Sequence, residues 1–151
     1  MTQAVGGSPV DVAALTALLV DLRVPDIGVD VEPVARFATP DPRIFTAAEL
    51  AYCDAQAEPA ESRAGRWCAK EAVCKACSNH LQLTLREIEI GVGPHGRPMV
   101  LLPERAIVLG LRADVSIAHT GGVAVAVAVA GIAPATSDTP GEPVPTGYDS
   151  W

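Results

Sequence analysis

Glu71 and Lys75 lie four residues apart in Arg66-Trp67-Cys68-Ala69-Lys70-Glu71-Ala72-Val73-Cys74-Lys75-Ala76, a stretch without Gly or Pro that reads as helix interior. At that spacing the two share a helix face, where an acid and a base ordinarily form a modest surface ion pair. Trp67, one turn earlier, sets a large ring on the same face. A second acid, Asp30, falls on the polar side of the alternating run Ile27-Gly28-Val29-Asp30-Val31-Glu32. An acid on the polar side of a strand is usually just solvated. Asp30 and Glu71 could nevertheless converge at the edge of one sheet. Two carboxylates completed by water and phosphate oxygens suit Mg²⁺, which prefers hard oxygen ligands and keeps several waters.

The elements that must position these residues can be read in chain order. Ser8-Pro9-Val10-Asp11 has the signals of a helix start, and Ala14, Leu15, Leu18, Leu19 and Leu22 follow at helical spacing before Pro25. This amphipathic helix reads as cover for an exposed face of the domain, with an oligomer or partner contact as the alternative. Thr46-Ala47-Ala48-Glu49 is a capping box opening a helix to about Ala57, and Glu61 or Ser62 starts the central helix. Beyond it, His80 reads as a helix-end residue facing solvent. Glu87–Val92 and Met99–Leu102 flank Pro94-His95-Gly96-Arg97-Pro98 as a hairpin, which makes His95 a turn residue rather than a ligand or base. Pro103 to Leu111 holds a short helix. Val115–His119 is a strand closed by Thr120-Gly121-Gly122. Val123–Ala130 alternates Val and Ala with no polar face, as in a strand covered on both sides, its Ala face letting a helix approach closely. Residues 132–151, with four prolines and no apolar period, read as a disordered tail. The chain thus divides into an N-terminal extension (1–24), a folded domain (25–131) and the tail.

Trp67-x-x-Lys70-Glu71-Ala72-x-x-Lys75-Ala76, preceded by Gly28-Val29-Asp30 and followed by Ser116-Ile117-Ala118-His119-Thr120, resembles the 4′-phosphopantetheinyl transferases, in particular the short holo-acyl-carrier-protein synthase type. The resemblance spans roughly residues 27–130. It implies an α+β fold, an antiparallel sheet packed against a long central helix. It also implies transfer of the 4′-phosphopantetheine arm of coenzyme A to a serine of an acyl or peptidyl carrier protein of fatty-acid or polyketide assembly, with Mg²⁺ as cofactor and 3′,5′-ADP as the other product. By the same resemblance Asp30 and Glu71 hold the metal, and Glu71, Lys75 and Asp30 are catalytic. Arg66, Lys75, His119 and Thr120 bind coenzyme A, and Arg36 and Arg43 contact the carrier. The family further implies a homotrimer with active sites between subunits. Two departures stand out. The segment between Phe37 and Phe45 is short and carries two prolines where relatives have a longer basic helix. Ser78-Asn79-His80 stands where they have a Gly-rich turn.

Composition bounds the alternatives. A net charge of −7 argues against a broad nucleic-acid or acidic-membrane surface. With 49% hydrophobic residues but only 4% aromatics, a core exists and must be built from Val, Ala, Leu and Ile. Cys74-x-x-Cys77 has no second pair to complete a metal site, so Cys53, Cys68, Cys74 and Cys77 read as buried structural thiols of a cytoplasmic protein. The longest apolar run, Val123 to Ala130, is too short to span a bilayer. Two other readings are a coenzyme A- or carrier-binding interaction protein without transfer, favoured by the two departures, and an enzyme repurposed to another substrate.

Overall fold

The computed structural model describes residues 25–133. The expected helix over 8–22 and all but the first two residues of the expected tail lie outside the described residues. In order the elements are β1 (Asp26–Pro33), α1 (Ala47–Asp54), α2 (Pro59–Cys77), β2 (Glu89–Val92), β3 (Pro98–Leu101), α3 (Glu104–Val108), β4 (Leu111–Thr120) and β5 (Val123–Ile132). A single 3₁₀ turn, Val34–Phe37, follows β1. The proline-broken segment beyond it builds no further helix before Ala47.

The main sheet is antiparallel in the order β1-β5-β4, and β2 and β3 form a separate hairpin. Pairing places Asp30 opposite Ala126 and Ala126 opposite Ile117; Glu32, Ala124 and His119 form the next such row. Helix α2 packs across this sheet along the alanine row of β5, where Ala124, Ala126, Ala128 and Ala130 are all buried. At β1 the approach is closest. A Cβ on Gly28 would lie 1.9 Å from the Ala72 carbonyl oxygen, so only glycine lets helix and strand meet there.

Several expectations are refined. Helix α2 begins at Pro59, ahead of Glu61, because proline suits the first helical turn. Helix α1 stops at Asp54, short of Ala57, and carries the full reciprocal capping box of Thr46 and Glu49. The Val face of β5 corrects the expectation of a strand covered on both sides: within the chain Val123, Val127 and Val129 are exposed, as are Ile27, Val29 and Val31 beside them on β1. The helix takes the face bearing Gly28, Asp30 and Glu32, which leaves the more apolar face of the sheet outward. The strand β5 also runs through Ile132, into the segment read as tail.

Cys53, Cys68 and Cys77 are buried free thiols and Cys74 is half-buried. Burial pushes the Cys68 thiol up to about 12 and Cys74 to about 11, so they are packing groups and poor nucleophiles. Among the described residues no helix is long and apolar enough to cross a membrane.

Candidate functional site

Helix α2 divides the chemistry into two halves. On its β1 side, Lys75 Nζ donates to Asp30 Oδ1 at 2.8 Å and to the Val29 carbonyl at 2.9 Å. Lys75 therefore reaches across to the strand instead of closing an i,i+4 pair with Glu71. Its bond to Asp30 raises the Lys75 pKa, and the charges of Asp30 and Glu71 reinforce the effect. Asp30 has a second oxygen, Oδ2, that is buried without a hydrogen-bond partner. An unpaired buried carboxylate oxygen is an acceptor awaiting a cation or donor. Among the described residues no group of three or more His, Cys, Asp or Glu gathers to hold a metal. A cation at Asp30 and Glu71 would thus complete its shell with water and substrate oxygens, as Mg²⁺ commonly does.

On the β4 side lies a cleft of about 410 Å³ lined by Arg66, His119, Tyr52, Ser62, Gly65 and the inner edge of the β2–β3 hairpin. Arg66 is buried, with its guanidinium 3.9 Å from the centre of the Tyr52 ring and Nη1 donating to Ser62 Oγ at 3.2 Å. Its Nε–H is buried and unpartnered. His119 faces the same cleft, with Nδ1 3.9 Å from Glu61 Oε1. Gly65 makes room for it, since a Cβ there would lie 2.6 Å from His119 Nε2. A buried arginine with an open donor next to a histidine is suited to an anion such as a phosphate. Thr120, the next residue on β4, is exposed and, by strand alternation, projects to the opposite face of the sheet from His119.

The structure thus brings Asp30 to Lys75, and Arg66 to His119, but keeps the two pairs apart. Asp30 and His119 stand on the outer strands with the alanine row of β5 between them and α2 lying along that row. Arg66 and Lys75 are nine residues apart on the helix, about two and a half turns, and point to opposite sides. Arg36 pairs with Glu32 and lies over the Phe37 and Trp67 rings, 5.6 and 5.8 Å from their centroids. Arg43 is bound to Asp41 on the surface.

Lys70 went unread in the sequence. It is fully buried, with Nζ donating to Glu49 at 2.6 Å and to the Ile44 carbonyl at 2.7 Å. Glu49 in turn accepts from the backbone N–H of Thr46 and of Ile90, so this one carboxylate ties α1, α2 and β2 together. Burial pulls the Lys70 pKa down, against the pull of Glu49. The available signal was its spacing: Arg66, Lys70, Val73 and Cys77 recur at three and four residues, so the lysine lies on the core-facing stripe. Tyr52 and Ser62 gave no comparable signal, because only the packing of α1 on α2 brings Tyr52 over Arg66.

Comparison with known proteins follows the same lines. A family profile described as the 4′-phosphopantetheinyl transferase superfamily matches residues 26–128. The holo-[acyl-carrier-protein] synthase of Caldicellulosiruptor bescii is 41% identical over 116 residues, covering 70% of this chain and 96% of its own. The acyl carrier protein synthase structure of Mycobacterium tuberculosis is similar with a TM-score of 0.59 at 32% identity, covering 72% of this chain and 97% of that one. The Helicobacter pylori holo-[acyl-carrier-protein] synthase in complex with coenzyme A matches with a TM-score of 0.59 at 26% identity, over 70% of this chain and 99% of the other.

Proposed function

The chain belongs to the 4′-phosphopantetheinyl transferase superfamily, and on that basis we propose that it moves the 4′-phosphopantetheine arm of coenzyme A to a serine of an acyl or peptidyl carrier protein, using Mg²⁺ and releasing 3′,5′-ADP. The observation that carries this reading is the Asp30–Lys75 pair with Asp30 Oδ2 open, and Glu71 one helical turn before Lys75 with its charge acting on that lysine. In the reaction the serine oxygen forms a bond to the β-phosphorus of the pyrophosphate while the bond to the leaving 3′,5′-ADP oxygen breaks. Glu71, or a water it holds, takes the serine proton. Lys75 neutralises phosphate charge as it shifts toward the leaving group. Asp30 and Glu71 are the residues that would hold Mg²⁺, which when bound supplies charge neutralisation at the pyrophosphate. Arg66 and His119 take the 3′-phosphate of coenzyme A; Thr120, whose side chain turns to the opposite face of the sheet, has only its backbone to offer there.

Because α2 separates the acids from Arg66 and His119, a complete site on this reading is built by two copies. One contributes Asp30, Glu71 and Lys75, and its neighbour contributes Arg66 and His119. The outward apolar face of β1 and β5 supports self-association, since a patch of this kind marks an interaction surface. A closed trimer is the arrangement we propose. Arg36 and Arg43 stand on the β1–α1 segment as the carrier contacts.

Intact mass spectrometry of apo-carrier proteins incubated with the chain, coenzyme A and Mg²⁺ tests this reading. The expected result is a phosphopantetheine mass gain on the carrier that disappears with Glu71→Ala. Binding of coenzyme A without mass gain on any carrier would contradict it.

A further inference from the structure

The end of the sheet remote from His119 holds a groove of about 660 Å³ that the transfer reaction does not use. Its walls come from Pro25 at the entry to β1, from Val129, Ile132 and Ala133 at the end of β5, and from Arg112 at the start of β4, with His80 at one side. The wall of β5 is apolar and open to solvent, Val129 being 38% and Ile132 41% exposed. His80 holds this end of the sheet in place: its Nε2 lies 2.7 Å from Asp26 Oδ2, and Asn79 Nδ2 donates to Asp26 Oδ1 at 2.7 Å. The Ser78-Asn79-His80 turn is therefore a clamp on the start of β1, and it shapes the groove.

Both ends of the described chain, Pro25 and Ala133, lie on this groove, so residues 1–24 and 134–151 both depart from it. Their sequences differ. The C-terminal stretch holds four prolines and no apolar period, whereas the N-terminal stretch carries Ala14, Leu15, Leu18, Leu19 and Leu22 at helical spacing. Leu22 is three residues before Pro25, so the end of that stripe can stray at most about 11 Å from the groove rim. So short a tether gives an effective concentration in the millimolar range or above, enough for a small apolar contact to form.

We propose that this groove is the seat of segment 8–22 of the same chain, its leucine stripe covering Val129 and Ile132. The extension then acts as an intramolecular cover that leaves the rest of the outer sheet face available. The test uses methyl-labelled full-length chain in NMR. The expected result is nuclear Overhauser contacts from the Leu18, Leu19 and Leu22 methyls to those of Val129 and Ile132, lost in Leu18→Asp/Leu22→Asp while the contacts that the buried methyls of Val73 and Ile88 make within the core persist. Isotope-filtered spectra of a mixture of labelled and unlabelled chains tell whose segment is seated. Contacts seen only between copies, contacts to Val144 in place of the leucines, or no contacts at all would each overturn the proposal.

Discussion

Individual residues carry strain and charge that single substitutions expose. His95, in the hairpin turn, has φ of 57°, a left-handed conformation that suits Asn better than His. Its side chain is exposed and makes no hydrogen bond among the described residues, so His95→Asn is expected to stabilise the domain by up to about 1 kcal/mol, read from the urea midpoint. Glu87 accepts from the Thr84 backbone N–H and hydroxyl and pairs with Arg105, with the backbone bond foremost in pulling its pKa from 4.5 to about 2. A carboxyl with a depressed folded pKa binds fewer protons when folded than when unfolded. Its contribution is therefore present above pH 4.5 and disappears as the pH falls through 2. Glu87→Gln should lower the melting temperature at pH 6 and leave it close to wild type at pH 2. A difference that stays constant across that range would show that the charge is not what matters.

Elements meet where small residues allow it. Because α2 lies against the backbone of β1 at Gly28, Gly28→Ala would force the Ala72 carbonyl away and lift the helix. The expected cost is about 3 kcal/mol or more, with a lowered yield of folded protein in circular dichroism and denaturant titration. Loss of that packing would also move Lys75 from Asp30. Much of this architecture was legible in the sequence. The capping box at Thr46, the Val-Ala alternation of β5 and the Gly-Pro punctuation of the hairpin each specify an element by local chemistry alone. Which face of β1 meets the core was not legible, because alternation gives two faces without saying which one the helix takes. The usual rule, apolar inward, points the wrong way when a glycine backbone contact sets the packing. Lys70 was hidden for a related reason: a lysine reads as surface until its partner, Glu49, is known to be buried beside it. Asp30, Glu71 and His119 could be picked out by their setting in three motifs, but only the packing of the helix across the sheet reveals that two of them lie on one side and the third on the other.

At the scale of the whole molecule, self-association is the proposal that accounts together for the outward face of the sheet and the division of the site. Val29 and Val127 are directly paired across β1 and β5 and both point outward. Val29→Asp/Val127→Asp should yield a lighter species in sedimentation velocity with an unchanged far-ultraviolet spectrum, since neither side chain contributes to the α2-facing core. An unchanged sedimentation coefficient would remove this face from the interface. The central claim, that two copies complete one site, is tested most directly by mixing two impaired variants. Glu71→Ala lacks the acid half and His119→Ala weakens the anion half, and each chain keeps the half that the other has lost. After subunit exchange, confirmed by native mass spectrometry, the account predicts phosphopantetheine transfer in the mixture above that of either variant alone. A mixed oligomer no more active than its parents would contradict it and place the whole site within a single chain.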